Sequence, residues 1–196
     1  MNIYVFGLGA LGSNILFNLV KKYPEITYYG IDYDKVEERN TATQVYFTSH
    51  KGLPKAQAIL PVLGTKLSKF KYKPISKKME TSADIKKVIE SNSNNDESII
   101  LDCFDNAESR KLFESLNGDI LHVGFSPHYA AEILWNENYS TPNDIPADVN
   151  DICTMSEAIP FIQYVTSIAT FVLSDFIDTE KKDNYIVTNK INLTQL

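Results

Sequence analysis

Cysteine is scarce, at two residues in 196. Cys103 and Cys153 are too few for a disulfide scaffold, and no closely spaced pair suggests a structural zinc site. A reducing compartment, the cytoplasm, is therefore the expectation. Positive charge is also in deficit. The formal net charge of −6 gives no electrostatic footprint for nucleic acid or an anionic membrane. No signal peptide is expected, because Met1-Asn2 runs directly into an apolar strand. The uncharged stretch Ala158 to Ser174 is interrupted by Pro160, Gln163, Thr166, Ser167 and Thr170. It falls short of the about 20 mostly apolar residues that a membrane span needs, and it predicts a buried core or interface helix. His50, His122 and His128 form no ligand spacing. His122 lies in a buried strand pattern and reads as a satisfied core histidine. Ser126 and His128 lack the context of a nucleophile elbow.

What remains is an ordinary globular composition, 43% hydrophobic and 22% charged, in a chain of single-domain length. Strand-like and helix-like patterns alternate. Ile3 to Phe6 is a short apolar strand, and Ala10 to Lys22 is a helix with Leu11, Ile15 and Leu19 on one face. Ile26 to Ile31 is a second strand. Lys55 to Leu67 reads as a helix that Pro61 should kink or shorten, and Phe70 to Ile75 as a weak third strand. Ala83 to Glu90 is a short helix with Ile85, Val88 and Ile89 inward. After the polar loop Ser91 to Glu97, a strand opens at Ile99 and a helix spans Asn106 to Leu116. Strands follow at Ile120 to Val123 and Tyr129 to Leu134. Then come a loop rich in Asn, Asp and Pro from Asn136 to Asp151, the long apolar helix, and a strand-like tail, Tyr185 to Leu196. This order predicts one α/β domain over 1–196. Its sheet should be Rossmann-like and mostly parallel, flanked by helices, with C-terminal strands and a long apolar helix.

Gly7-Leu8-Gly9-Ala10-Leu11-Gly12 fits the G-x-G-x-x-G pattern directly after a strand and at the opening of a helix. Glycine permits the tight turn and a close approach of backbone to phosphate, while the helix N-terminus favours an anion. Asp32, 20 residues beyond Gly12 at the end of the second strand, can accept hydrogen bonds from ribose hydroxyls. At this point NAD and ATP are equally allowed.

Three further blocks narrow the choice: Asp32-Tyr33-Asp34-Lys35-Val36-Glu37-Glu38-Arg39-Asn40, then Gly52-Leu53-Pro54-Lys55-Ala56, then Asp102-Cys103-Phe104-Asp105-Asn106. With the glycine turn they resemble, in order and spacing over roughly residues 1 to 135, the ubiquitin-activating enzymes. The bacterial molybdopterin-synthase and thiamine sulfur-carrier adenylyltransferases, the ThiF-type proteins, share the pattern. The resemblance implies a cytoplasmic adenylyltransferase that uses ATP and Mg²⁺. Its acceptor is the C-terminal carboxylate of a small ubiquitin-like or sulfur-carrier protein, or of a peptide, activated as an acyl-adenylate. A homodimer or heterodimer is implied as well. The nucleotide would be held by Gly7, Gly9, Leu11, Gly12, Asp32, Asp34, Asn40, Lys55, Asp105 and Asn106. Among these, Asp32 would bind the ribose, Asn40 and Lys55 the phosphates, and Asp105 Mg²⁺. Lys55 and Asp105 would be the catalytic pair.

The residues also allow plainer roles. Asn40 can stabilise a turn, Lys55 can be a solvated lysine at a helix start, and Asp105 can cap the following helix. Two family features are missing. The family pattern carries arginine where this chain has Thr43, and an N-terminal helix whose arginine enters the neighbouring subunit's site is not seen. Threonine replaces neither the charge nor the fork of arginine, so slow or absent adenylation is expected of the chain alone. Cys153 is a possible thioester or persulfide thiol, although a lone cysteine beside an apolar helix is more often inert packing. Two alternatives stay open: a nucleotide-binding or partner-binding member of the same family without catalysis, and an NAD-dependent oxidoreductase. The latter leaves Asn40, Lys55 and Asp105 unexplained.

Overall fold

The computed structural model describes residues 1–64, 70–93, 96–126, 130–141 and 158–188. Seven strands form one sheet: β1 (Asn2–Phe6), β2 (Thr27–Ile31), β3 (Lys71–Ile75), β4 (Ser98–Asp102), β5 (Asp119–Ser126), β6 (Ala130–Trp135) and β7 (Tyr185–Thr188). Their spatial order is β3-β2-β1-β4-β5-β6-β7. β1 to β5 pair parallel, and β6 and β7 close the sheet antiparallel. The expected α/β class, the mostly parallel Rossmann-like sheet and the C-terminal strands are all observed.

β1 is buried on both faces, as a central parallel strand must be when helices cover the sheet on either side. On one face Leu11, Ile15 and Leu19 of α1 (Ala10–Lys22) join a large apolar cluster with α2 (Lys55–Gly64) and α5 (Ile159–Thr179). On the other face, α3 (Ser82–Glu90) and the turns that follow α4 (Ala107–Lys111), with Leu112, Phe113 and Leu116, cover a second cluster that includes Tyr4, Phe6 and Ile100. α5 is long and apolar enough to cross a membrane by length and composition alone. That corrects the expectation that the stretch falls short of a span. Its residues Phe161, Val165, Ala169 and Val172 belong to the first cluster, as expected of a core helix.

α2 continues through Pro61, and residues 65–67 of the expected helix lie outside the described residues. α4 differs from the sequence reading. α4 covers only Ala107–Lys111, not Asn106 to Leu116. Beyond Lys111 the backbone bonds tighten to three-residue spacing, with Phe113 N–H on the Arg110 carbonyl and Leu116 N–H on the Phe113 carbonyl. The apolar residues are buried as expected, but on turns. Three short 3-10 turns, Glu38–Thr41, Thr48–His50 and Asn136–Asn138, carry no periodicity and were not expected.

The chain leaves β1 toward β2 and β3 on one side and returns to β4 and β5 on the other. The switch lies between β1 and β4, and at the C-terminal ends of two such strands open α/β sheets form their ligand crevice. The turn after β1 and the turn after β4 flank it.

Candidate nucleotide site

The three glycines of the first turn have different reasons to be glycine. Gly7 has φ +86°, and a Cβ there would lie 2.7 Å from the Cys103 carbonyl oxygen. At Gly12 a Cβ would lie 1.9 Å from the Gly7 carbonyl oxygen, because α1 is drawn against its own turn. The fold itself demands both. At Gly9 a Cβ would meet nothing within 4 Å. Gly9 is the N-cap of α1, which receives no side-chain cap and carries no acidic residue in its first turn. The leading amides of a 13-residue helix therefore point, without a protein acceptor from a cap, into the open space at Gly9. Leu11 is packed in the core, so only its backbone is placed to meet a ligand.

Asp32, at the end of β2, holds this turn in place. Its Oδ2 accepts the Leu8 N–H at 2.7 Å and its Oδ1 accepts the Asp34 N–H at 2.8 Å. Burial pushes its carboxyl above the usual carboxylate range, against the opposing pull of the Lys55 charge and the two N–H donors. Each carboxylate oxygen has a second lone pair, so a ribose hydroxyl can be accepted in addition. Tyr46 braces the turn from below. Its hydroxyl donates to the Leu8 carbonyl at 2.9 Å and lies 3.4 Å from the Lys55 carbonyl.

Lys55 starts α2 and is only 7% exposed. A solvated lysine is thus excluded. Its ammonium is paired with Asp34 Oδ2 at 3.1 Å, and its N–H donates to the Asp34 carbonyl at 2.8 Å. Asp34 therefore links Asp32 to Lys55. Asn40 is buried in the turn Glu38–Thr41, where its Oδ1 accepts the Glu37 N–H at 2.8 Å. That is the turn-stabilising role, and it anchors the loop that leads to Thr43.

Asp105 sits on the turn after β4 and is exposed. Its Oδ1 accepts from the Asn106 amide at 3.2 Å. The cap of α4 is Asn106, whose Oδ1 accepts the Ser109 N–H at 2.8 Å. The expectation that Asp105 caps this helix is corrected, since the helix begins one residue later. Asp105 is left as an unburied carboxylate beside the crevice.

Thr43 is buried, and its carbonyl accepts from the Asn14 amide at 3.0 Å. The sequence contains two arginines, Arg39 and Arg110. Arg39 is exposed and paired with Glu37 at 2.7 Å. Arg110 is buried beside Asp102 at 3.4 Å. Lys51 is exposed and paired with Glu38 at 2.8 Å. Cys153, His128 and the side chain of Ser126 lie outside the described residues. His50 is buried against the Phe47 backbone through Nδ1. His122 is a bonded core histidine, as expected, its Nδ1 2.9 Å from Asp102 Oδ2.

The brace by Tyr46 and the Asp102–His122 pair were not legible in the sequence. Tyr46 lies 38 residues from Leu8 and Asp102 lies 20 residues from His122, so tertiary packing brings each pair together and no short-range pattern encodes it. The Asp32–Leu8 bond belongs to the same class, although the position of Asp32 was.

The fold is shared with known proteins. The ThiF family pattern matches residues 1–117. No curated protein is significantly similar in sequence. Among solved structures, PaaA superimposes with a TM-score of 0.70 at 17% identity, covering 96% of this chain and 61% of its own. E. coli MccB, solved together with MccA, gives 0.71 at 15% identity over 95% of this chain and 63% of its own. MccB has also been solved with ATP. The E. coli tRNA N6-threonylcarbamoyladenosine dehydratase TcdA gives 0.55 at 18% identity over 66% of this chain and 55% of its own. At these identities the likeness is one of fold, and the chain spans less than two thirds of each of these proteins. The glycine turn, the Asp-x-Asp block, the lysine at the start of α2 and the Asp-Asn turn after β4 all fall inside the matched stretch, and the chain belongs to the ThiF family.

Proposed function

We propose that this chain binds MgATP in the crevice between β1 and β4 and belongs to a system that adenylates the C-terminal carboxylate of a small protein or peptide. The observation that carries the reading is the contrast among the glycines. Gly7 and Gly12 are closed by the fold, while Gly9 is open above the uncapped N-terminus of α1. A triphosphate is an anion suited to that place. Asp32 offers acceptors for the ribose. Lys55 lies beside the turn with a buried positive charge, in a position to oppose charge on the leaving pyrophosphate. MccB in complex with ATP supports the choice of nucleotide.

Among the described residues, no three His, Cys, Asp or Glu side chains cluster to hold a metal ion. Mg²⁺ needs no such cluster, since it is usually held by one or two carboxylates together with substrate phosphates. Asp105, exposed and oxygen-bearing, would be the carboxylate that holds it. Bound there with the triphosphate, the ion would neutralise phosphate charge. In the reaction, an acceptor carboxylate oxygen attacks the α-phosphorus. The bond from that phosphorus to the bridging oxygen breaks, and pyrophosphate leaves with the electron pair. Acyl-AMP remains.

Thr43 favours a second reading within the same family. With Arg39 exposed and Arg110 buried on Asp102, neither arginine takes up the absent cation's place. The chain alone then binds MgATP and exchanges pyrophosphate slowly, and a partner supplies the missing charge. ATP–pyrophosphate exchange by the purified chain, with and without an acceptor peptide, separates the two. Rapid exchange supports autonomous adenylation. ATP binding without exchange supports dependence on a partner. Binding of NAD without ATP overturns both.

A further inference from the structure

Asp102 is the last residue of β4 and is wholly buried. A buried carboxylate is costly, and apolar residues of similar volume often stabilise a core at least as well. Its bonds indicate the task it performs. Oδ1 accepts the Phe104 N–H at 3.1 Å, a side-chain turn that fixes the chain two residues ahead. Oδ2 accepts the His122 Nδ1–H at 2.9 Å. The same oxygen lies 3.4 Å from Arg110 Nε. This is an ion contact without hydrogen-bond alignment, because Nε and Nη2 of Arg110 have no hydrogen-bond partner.

These bonds bracket Asp105. Before it, Asp102 holds Phe104. After it, Arg110 is held against Asp102 from α4, with its N–H on the Asn106 carbonyl at 3.2 Å. The guanidinium can lie there only because residue 124 is glycine: a Cβ would sit 1.8 Å from Arg110 Nη1. His122 is fixed in turn. Its ring stacks on Tyr139 at 3.6 Å between centroids, and Nε2 is 3.3 Å from Asn136 Oδ1. The Gly7 side of the crevice is held separately, by the Cys103 N–H on the Phe6 carbonyl at 2.8 Å. The Asp102 network therefore governs Phe104 to Asn106, not the phosphate turn.

We infer that Asp102, clamped by His122 and Arg110, is a positioning residue for Asp105, and so sets how strongly Mg²⁺ strengthens nucleotide binding. The inference rests on the proposed MgATP site. Partners hydrogen-bonded to a metal ligand typically change metal affinity 10- to 100-fold when lost, and Asp102, acting one step further out through the Phe104 backbone, belongs at the lower end of that range.

The test is calorimetric titration of ATP into the full chain, with Mg²⁺ and with EDTA. His122→Phe removes the bond to Asp102. It should shrink the Mg²⁺-dependent gain in affinity by about tenfold and leave the EDTA value within about twofold. His122→Asn, which keeps a donor near Nδ1, should restore the gain. An unchanged gain in folded His122→Phe overturns the inference, and so does an equal loss with and without Mg²⁺. If His122→Phe does not fold, Asn136→Ala frees the outer nitrogen of the ring and is judged by the same two criteria. Wild-type protein that binds no ATP in either condition overturns the site reading and this inference together. ATP binding with a gain that no variant alters overturns this inference alone.

Discussion

Replacing Gly9 and Gly12 by alanine separates a ligand-facing glycine from a packing glycine. At Gly12 the new Cβ would lie 1.9 Å from the Gly7 carbonyl oxygen, a backbone atom. The turn and α1 must separate. Overpacking of this kind costs about 1–3 kcal/mol, and more where backbone has to shift. The upper figure, about 3 kcal/mol, applies because the opposing atom is backbone. For a chain of this size each kcal/mol lowers Tm by about 2–4 °C, so Gly12→Ala should melt about 6–12 °C lower. At Gly9 the Cβ meets nothing, and φ is −76°. Alanine is only a weaker N-cap there, at a cost of about 1 kcal/mol or less, and Tm should fall by no more than about 4 °C. The order reverses for ligand binding. A methyl group at Gly9 occupies the space where phosphate would meet the leading amides of α1. MgATP should therefore raise the Tm of wild type by an amount set by its concentration over Kd and should raise that of Gly9→Ala much less. Differential scanning fluorimetry with and without MgATP reads both effects. An undiminished MgATP shift in Gly9→Ala would refute the placement of the phosphates. A large destabilisation of Gly9→Ala without ligand would refute the claim that its site is open.

Other outcomes follow from the same geometry. Tyr46→Phe removes a hydroxyl that holds the Leu8 carbonyl. It should cost about 1–2 kcal/mol in urea melts, and a value near zero would show that the turn does not need the brace. Carboxyl NMR titration should place Asp84 at about 2, held down first by its hydrogen bond from Lys77 and then by that from Thr81, and Asp32 above the ordinary carboxylate range. The signs differ: stability from Asp84 is present above its unfolded value and lost as pH falls from about 4 toward 2. The raised value of Asp32 instead favours the fold at low pH, and that contribution is lost as pH rises through its folded value. Ordinary values for both carboxyls would refute this electrostatic account. Cys153→Ser should leave any pyrophosphate exchange intact, since adenylation needs charge at phosphate and not a thiol. Complete loss in a folded variant would give the thiol a role. Thr43→Arg, with an acceptor peptide present, should raise exchange by orders of magnitude if a cation at this position is the missing element. No change would place the deficiency elsewhere.

The parts of the site that were legible in the sequence are those whose physics is local. The three glycines, the carboxylate at the end of β2 and the lysine at the start of α2 keep fixed offsets from elements whose periodicity is plain. The mostly parallel sheet followed from the alternation of elements, whereas the strand order is set by long-range pairing. α4 was read too long because Leu112, Phe113 and Leu116 have helical spacing, yet successive tight turns bury the same side chains. The buried network of Asp102, Arg110 and His122 was invisible for a different reason. The register of β4 against β5 sets Asp102 opposite His122, and no short-range pattern encodes that register.

The most direct test of the account is a calorimetric titration of the wild-type chain with MgATP and, separately, with NAD. One ATP bound per chain, weakened by Asp32→Ala in a protein that still melts cooperatively, is the predicted result. Binding of NAD without ATP, or an ATP affinity that Asp32→Ala leaves unchanged, would contradict it.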